Sequence, residues 1–404
     1  MHPSAFQDLI IHGESLFRTG YVHEALQVFD SVIAQEPHHV LALNDKGVLL
    51  HSLGRYAEAE QIFLEIIYQD NNNSNSVFNL VSMYIESYNI KNAEYIIMRY
   101  GSCLGTQDVQ ELKEKLYKIQ NDMNATNTVE KTKIVDISMD IHEKNHAMRL
   151  YLNEGELSHS VISAFFAKNE LYKPTLANFF GSVLRTDDCF IDIGAHIGYF
   201  SLLGATLVGC NGQVLAFEPE EKNCIYLYEN IALNKFNNIT VSHTALGLET
   251  KTSKIFINSD NDAGHALWNV GRHPDYSKSR MHCITRDVHV ASLDSLLQGV
   301  QVSNLRLINI DTCGAELDII QGAVRTIEDN KVPYVVCGIN RFGLQQMGTS
   351  EQELRQFMSY MGYETYCIYA EAPQLVALAP EQYVTSQHDF HMLFANPLWL
   401  GEVL

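Results

Sequence analysis

Positive charge is what this chain has least of. Its 28 lysines and arginines face 48 aspartates and glutamates, a formal net charge of −20, and no local cluster of basic residues offsets the balance. A surface of that sign repels phosphate backbones and anionic lipid headgroups, so nucleic acid is not an expected partner. Long apolar runs are missing too, and those present fall far short of the ~20 residues that span a membrane. The opening MHPSAFQDLI carries Asp8 and no basic stretch ahead of an apolar one, which argues against a signal peptide and for a cytoplasmic protein. The eight cysteines are scattered without a C-x-x-C pair, and reduced thiols are expected. His265, His273, His282 and His289 cluster with Cys283, but their spacings match no ligand motif, and no metal is expected. The chain has 404 residues, 46% of them hydrophobic; that is enough for a sizeable core and for two or three domains.

What the chain does have, near its start, is a period. Gly13 and Gly47, Gly20 and Gly54, Ala25, Ala59 and Ala93, and Phe29 and Phe63 all recur at one fixed interval. Small residues at such positions let two antiparallel helices approach closely, and the apolar residue four after each alanine fills the groove to the next pair. Pro37 closes the first repeat. The stretches FRTGYVHEALQVFDSVIAQEP and HSLGRYAEAEQIFLEII resemble the tetratricopeptide repeat (TPR), and SYNIKNAEYIIMRYG is a weaker third copy. The resemblance covers residues 6–107, and DVQELKEKLYKIQ reads as a polar capping helix. A TPR-like helical domain is therefore expected over residues 1–122 and a linker over 123–144. Such a domain either offers a groove to a protein partner or another copy of the chain, or only stabilises the domain after it.

Beyond residue 150 the pattern changes. CFIDI, QVLAFEP, ITVSHTAL, LRLINID and PYVVCGI read as buried strands, separated by helical stretches such as EKNCIYLYENIALN and ELDIIQGAVRTIED. That alternation predicts an α/β fold, a doubly wound, mostly parallel Rossmann-like sheet. In such a sheet a ligand sits beyond the carboxyl ends of the strands near the switch in strand order, where Gly194 falls.

The turn in FIDIGAHIGYF is not a P-loop, which needs Gly-Lys-Ser/Thr, nor a G-x-G-x-x-G dinucleotide fingerprint. Asp192 at its strand end repels phosphate but suits an ammonium, and Gly194 and Gly198 let the backbone come close to a ligand. Glu218 ends the next strand after the one that carries Asp192, in position to accept the hydroxyls of a ribose. An amino acid and a ribose on one ligand suggest S-adenosylmethionine. Two solvated acids beside an ordinary glycine turn are the other reading.

These residues belong to a wider resemblance. IDIGAHIGYFSLL, AFEPE, the YENIALN segment with Asn230 and Asn234, NDAGHALW, ASLDSLL, IDTCGAELDIIQGA and HMLFANP are similar, in order, to the FkbM-type S-adenosylmethionine-dependent methyltransferases over residues 145–397. The resemblance implies a methyltransferase domain over 145–404, built on a seven-stranded sheet with an antiparallel last strand. It implies methyl transfer, usually to a hydroxyl of a sugar, glycan or secondary metabolite. By position, Asp192, Gly194, Ala195, His196 and Gly198 would line the methionine part, Glu218 the ribose, and Asp311 would face the methyl group and acceptor.

The departures from the family lie on the acceptor side. Where relatives tend to read K-I-D-V-E-G-A-E, this chain has Asn309 and Cys313 in place of the Lys and the first Glu. Lys173 stands where an acid is common, and Gly338 stands where an acid often ends the fifth strand. A hydroxyl acceptor needs a base, and Asp311, His265 and Glu316 are the candidates. Asp311 can equally cap the following helix, and Glu316 can be a first-turn acid. A chain that binds the cofactor as a structural ligand, acting as a scaffold, remains the alternative to an enzyme.

Overall fold

The computed structural model describes residues 3–19, 21–53, 55–86, 90–126, 132–141, 144–168, 170–300, 302–368, 375–379, 382, 384 and 390–402. The chain divides into two compact units, Met1–Asn127 and Thr128–Leu404.

The first unit is all helical: α1 (Pro3–Arg18), α2 (Val22–Gln35), α3 (Val40–Ser52), α4 (Tyr56–Gln69), α5 (Ser74–Glu86), α6 (Ile90–Tyr100) and α7 (Thr106–Thr126). The sequence period has a physical meaning here. A Cβ on Gly13 would lie 2.7 Å from the ring of Phe29, and one on Gly47 would lie 2.6 Å from the ring of Phe63. Each glycine thus makes the socket for an aromatic ring on the next helix. Ala25, Ala59 and Ala93 are fully buried. The third copy is weaker because the positions one period after Gly47 and Phe63 hold Val81 and Ile97 instead of a glycine and an aromatic ring. Gly20 and Gly54 lie outside the described residues. Helix α7 buries Leu112, packs Leu116 and Ile119 against the same core and leaves Glu111, Lys113, Glu114, Lys115 and Lys118 exposed, as suits a capping helix.

The second unit holds the sheet. Its strands are β1 (Thr132–Ile141), β2 (Lys144–Asn153), β3 (Cys189–Ile193), β4 (Gln213–Phe217), β5 (Ile239–Ser242), β6 (Ala245–Leu246), β7 (Lys251–Ile257), β8 (Ile284–Ala291), β9 (Leu305–Ile310), β10 (Tyr334–Ile339), β11 (Glu364–Ile368), β12 (Val376–Ala377) and β13 (Phe390–Ala395). The main sheet runs β12-β11-β13-β10-β9-β3-β4-β5. Strands β5, β4, β3, β9 and β10 are parallel, and β13 is antiparallel to both β10 and β11. This is the expected seven-stranded sheet with an antiparallel last strand, extended at one edge by the short β12. Residues of β3 and β10 are buried throughout, as apolar runs covered on both faces require.

Three features were not foreseen. The stretch read as a linker, 123–144, contains the end of α7 and all of β1, which pairs with β2 in a hairpin; polar residues on one strand face hid its alternation. ITVSHTAL is two strands, β5 and β6, and β6 turns away to pair with β8 in a separate three-stranded sheet. ELDIIQGAVRTIED breaks at Gly322, where a Cβ would lie 2.1 Å from the carbonyl oxygen of Gly247.

Helices α8 (Leu157–Phe166), α9 (Pro174–Val183), α10 (Tyr199–Val208) and α11 (Glu221–Asn234) follow in this unit, with shorter ones after them. Asn230 of α11 is fully buried. Its Oδ1 accepts the Tyr151 N–H (2.6 Å) and its Nδ2 donates to the Ile197 carbonyl (2.9 Å). One amide side chain therefore ties the hairpin to the turn after β3. Among the described residues, no helix is long and apolar enough to cross a membrane.

Candidate functional site

The carboxyl ends of β3, β4 and β9 converge, and their backbones fix the turn between them. Gly194 and Ala195 N–H both donate to the Phe217 carbonyl (2.9 and 3.0 Å), and Asp311 N–H donates to the Ile193 carbonyl (2.9 Å). Gly194 has φ +80°, and a Cβ there would lie 2.2 Å from the Asp311 carbonyl oxygen. Gly198, φ +91°, opens α10, and a Cβ there would lie 2.4 Å from Leu227. His196 between them also has a positive φ, 53°.

Two clefts meet at this point, sharing Gly194, His196, Ala263, Asp311 and Cys313. The first runs over the end of β4, between Glu218 and the loop that carries Asp262 and His265. The second lies between α9 and the β10–β13 pair, with Lys173, Asp192, Asn309, Gly338 and His391 on its walls.

In the first cleft, Glu218 is 5% exposed. Its Oε2 accepts the His196 N–H (2.8 Å), and its Oε1 accepts the Glu220 N–H (3.0 Å) and Asn223 Nδ2 (3.3 Å). Burial raises its carboxyl pKa against those donors. Three donors leave a carboxylate room for a further hydroxyl. His265 also lines this cleft and not the second. Its Nδ1 accepts the Asn258 N–H (2.9 Å), so Nε2 carries the ring proton, and burial pushes its pKa down to about 4. His265 is therefore a neutral donor toward the first cleft and holds no lone pair for an acceptor's proton.

Asp192 is 1% exposed. Its oxygens take Ser201 Oγ (2.6 Å) and Asn309 Nδ2 (2.9 Å), and burial raises its pKa to about 6. Asn309 is equally buried, and its Oδ1 has no hydrogen-bond partner. A buried acceptor left open costs about 1–3 kcal/mol and calls for a donor from a ligand. Sequence reasoning counted Asn309 as a lost anchor; the structure gives it an open one.

Asp311 sits where the clefts join. Its Oδ2 lies 2.7 Å from Lys173 Nζ and 3.8 Å from His391 Nε2. Burial pushes the Asp311 pKa upward, but the Lys173 ammonium and the His391 contact outweigh it and hold the carboxyl well below the usual carboxylate range. Such a group is a fixed anion and a poor base. Glu316 lines neither cleft. It is fully buried beneath the loop, its Oε1 accepting the Gly314 N–H (2.9 Å) and Thr312 Oγ1 (3.3 Å), and burial raises its pKa to about 7. Of the three residues expected to handle a proton, the structure brings only Asp311 to the junction. His391 is the group that was missed; the signal for it was a lone histidine in the otherwise apolar strand HMLFA.

Asp262 fastens the loop over the first cleft. It accepts the Ser158 N–H (2.9 Å) and hydroxyl at the start of α8, and His196 Nε2 lies 3.2 Å away. Burial works against its ionisation, but the His196 and Ser158 contacts prevail and keep its carboxyl well below the usual range. His159 completes a cluster with metal-like spacing. However, His159 Nδ1 accepts the Asn153 N–H (2.9 Å), so its Nε2 is protonated and has no lone pair for a cation. Ser158, Asp262 and His196 form a hydrogen-bonded latch, and His159 Nε2 is buried beside it without a hydrogen-bond partner.

Residues 192–365, from Asp192 through the end of β9 and on into β11, match the family model of the methyltransferase FkbM domain. The second unit carries an FkbM methyltransferase domain match. Residues 12–74 match a tetratricopeptide repeat model, so the chain carries an FkbM domain behind TPR helices, an S-adenosylmethionine-dependent methyltransferase architecture. No curated protein matches the chain. Among solved structures, it is similar to a precorrin-6y C5,15-methyltransferase from Geobacter metallireducens (12% identity, 55% of this chain and 89% of that one, TM-score 0.29). A putative methyltransferase from Streptococcus mutans in complex with SAH gives 10% identity, 55% and 94% coverage and a TM-score of 0.32. Aeropyrum pernix fibrillarin with natively bound S-adenosyl-L-methionine gives 11%, 52% and 67%, and 0.30. At those scores the assignment of the FkbM domain rests on the family model.

Proposed function

We propose that this chain transfers a methyl group from S-adenosylmethionine to a hydroxyl of a small molecule or glycan, and that its TPR unit docks a protein partner. The observation that carries the reading is the pair of clefts joined at Gly194 and Asp311, one for a cofactor and one for an acceptor. The residues fit the cofactor. Glu218 has acceptor capacity for a ribose hydroxyl in the first cleft, Gly194 leaves no side chain at the junction of the two clefts, and the open Oδ1 of buried Asn309, on the wall of the second cleft, suits an α-ammonium that reaches past that junction. In this arrangement Asp192 acts indirectly, by orienting Asn309. When bound, S-adenosylmethionine supplies a methyl group already activated on a sulfonium, so the protein's task is alignment and, for a hydroxyl, removal of a proton. Aromatic and aliphatic side chains, Tyr172, Phe200 and Phe390 among them, wall the second cleft and limit water there.

Titration calorimetry with S-adenosylhomocysteine tests the cofactor half. One site per chain is expected, and Glu218→Gln should weaken it about 10- to 100-fold, the effect of losing a hydrogen bond to a charged group. A folded chain that takes up no S-adenosylhomocysteine, or a Glu218→Gln variant that binds it as tightly as the parent, refutes the assignment.

A further inference from the structure

Lys173, Asp311, Gly338 and His391 come from four separate segments, and in the structure they form one constellation on the wall of the second cleft. Lys173 precedes Pro174 and has φ 47°, a left-handed conformation that costs a non-glycine residue roughly 1–2 kcal/mol. That backbone sends its Nζ to Asp311 Oδ2 (2.7 Å) and His391 Nε2 (3.3 Å). Gly338 pairs with His391 across β10 and β13, and a Cβ on it would lie 2.4 Å from Asp311 Oδ1. The absence of a side chain at 338 therefore makes the room in which the other three meet.

The protonation pattern follows from donor and acceptor inventory. A lysine ammonium has three donors and no lone pair, so where it contacts His391 Nε2 that nitrogen must be the acceptor. Asp311, the nearest anion, keeps Lys173 an ammonium. His391 thus presents to the cleft a neutral ring whose Nε2 lone pair is directed at Lys173 Nζ, 3.8 Å from the carboxylate that would stabilise the ring once protonated. The charged groups on the walls of this cleft are Lys173, Asp311 and Asp192. Lys173 opposes protonation of His391 and the two carboxylates favour it.

We propose that His391 is the general base of methyl transfer, that Lys173 holds the acceptor oxygen, and that Asp311 supplies the countercharge. The proposal rests on the methyltransferase reading above with a hydroxyl acceptor. That hydroxyl displaces the direct contact between Nζ and Nε2, its oxygen accepting from Lys173 and its proton donated to the Nε2 lone pair so released. As the oxygen–carbon bond forms, the carbon–sulfur pair stays on sulfur, and the hydroxyl proton passes to Nε2. The imidazolium produced is compensated by Asp311. In this scheme Asp311 matters for the reaction without itself taking the proton, in keeping with its depressed pKa.

Two measurements test this, and the first needs no acceptor. Nitrogen-15 NMR of the full chain with labelled histidine, His391 assigned by His391→Gln, should show Nε2 unprotonated and Nδ1 protonated at pH 8. Lys173→Met should shift that Nε2 resonance. An Nε2–H tautomer in the parent chain, or no shift in Lys173→Met, overturns the proposal even if S-adenosylhomocysteine binds. The second uses methyl-labelled S-adenosylmethionine with a panel of monosaccharides and phenols. With an acceptor found, turnover should rise with pH as His391 loses its proton. His391→Gln should lower kcat about 10²- to 10⁴-fold, the usual contribution of a general base, with S-adenosylhomocysteine affinity unchanged. Asp311→Asn should lower kcat and move the pH midpoint down. A His391→Gln enzyme with parental kcat and pH profile overturns the proposal and leaves the methyltransferase reading standing, whereas a folded chain that binds no S-adenosylhomocysteine refutes that reading first.

Discussion

Replacing Glu316 with glutamine should change the chain's stability in a strongly pH-dependent way. Glu316 is 0% exposed, one oxygen serves Gly314 N–H and Thr312 Oγ1, and Oε2 has no partner. Burial raises its pKa from 4.5 to about 7. At about 1.4 kcal/mol per pH unit, the ionised form is disfavoured in the folded state by about 3 kcal/mol. Because the folded pKa is raised, the stability this group contributes is fully present below pH 4.5 and is lost as pH rises through 7. Glutamine cannot ionise, and its Oε1 can still accept from Gly314. The variant should therefore be within about 1 kcal/mol of the parent at pH 5 and gain about 2–3 kcal/mol on it by pH 8.5. Other buried acids with raised pKa values, Asp192, Glu229 and Asp45, are common to both proteins and cancel in the comparison. Urea unfolding followed by tryptophan fluorescence reads the right unit, since the chain's two tryptophans, Trp268 and Trp399, both lie in the second one. Trp268 Nε1 donates to the Cys313 carbonyl beside the same loop (2.7 Å). With an m-value of about 2–3 kcal/mol/M, the midpoint difference should move by about 1 M between the two pH values. An equal midpoint difference at pH 5 and pH 8.5 would show that Glu316 is not held protonated by burial, and the reasoning would fail.

Two further substitutions probe the geometry directly. Gly194→Ala places a Cβ 2.2 Å from the Asp311 carbonyl oxygen at φ +80°, so it should destabilise the second unit by about 2 kcal/mol or more and abolish S-adenosylhomocysteine binding; calorimetry showing parental affinity would contradict the close approach of β3 and β9. Gly47→Ala drives a methyl into the ring of Phe63, and should cost about 1–3 kcal/mol and lower the thermal midpoint of a 1–127 fragment followed by circular dichroism, with Phe63→Leu recovering part of the loss. A fragment that is helical and melts at the same temperature with and without Gly47→Ala would remove the ring-and-socket account of the sequence period.

The chain's linear order was enough for whatever depends on local periodicity. The regular recurrence of Gly, Ala and Phe gave the helical pairs because each glycine and its ring lie one helix apart, a spacing that the sequence displays openly. The strands CFIDI, QVLAF, LRLINI and YVVCGI were legible because strands covered on both faces are continuous apolar runs. The glycine turn after β3 was legible because Gly194 and Gly198 adopt positive φ, and the fold then fixes Glu218 one strand away. The hairpin of β1 and β2 was not, since a half-exposed strand with polar residues carries a weak signal. It finds its place through Asn230 and Asn234, which lie 79 and 85 residues beyond Tyr151 and Arg149, the partners they hold.

Charge placement needed the tertiary structure. Asp192, Glu316 and Asp311 are alike as letters, yet the first is bound to Ser201 and Asn309, the second is buried beneath a loop, and the third is paired with Lys173. Their proton affinities diverge, to about 6 for Asp192, to about 7 for Glu316, and to well below the usual carboxylate range for Asp311. A carboxyl's pKa is set by burial and by charges within a few ångströms, and those neighbours are up to 138 residues away in sequence for Asp311 and Lys173. The same holds for Gly338, whose missing side chain has meaning only because β13 lays His391 opposite it and β9 brings Asp311 beside it. Local pattern determined the helical repeats, the central strands and the turn; contacts between distant segments placed the hairpin and decided which acid can take a proton and which is held as a fixed charge.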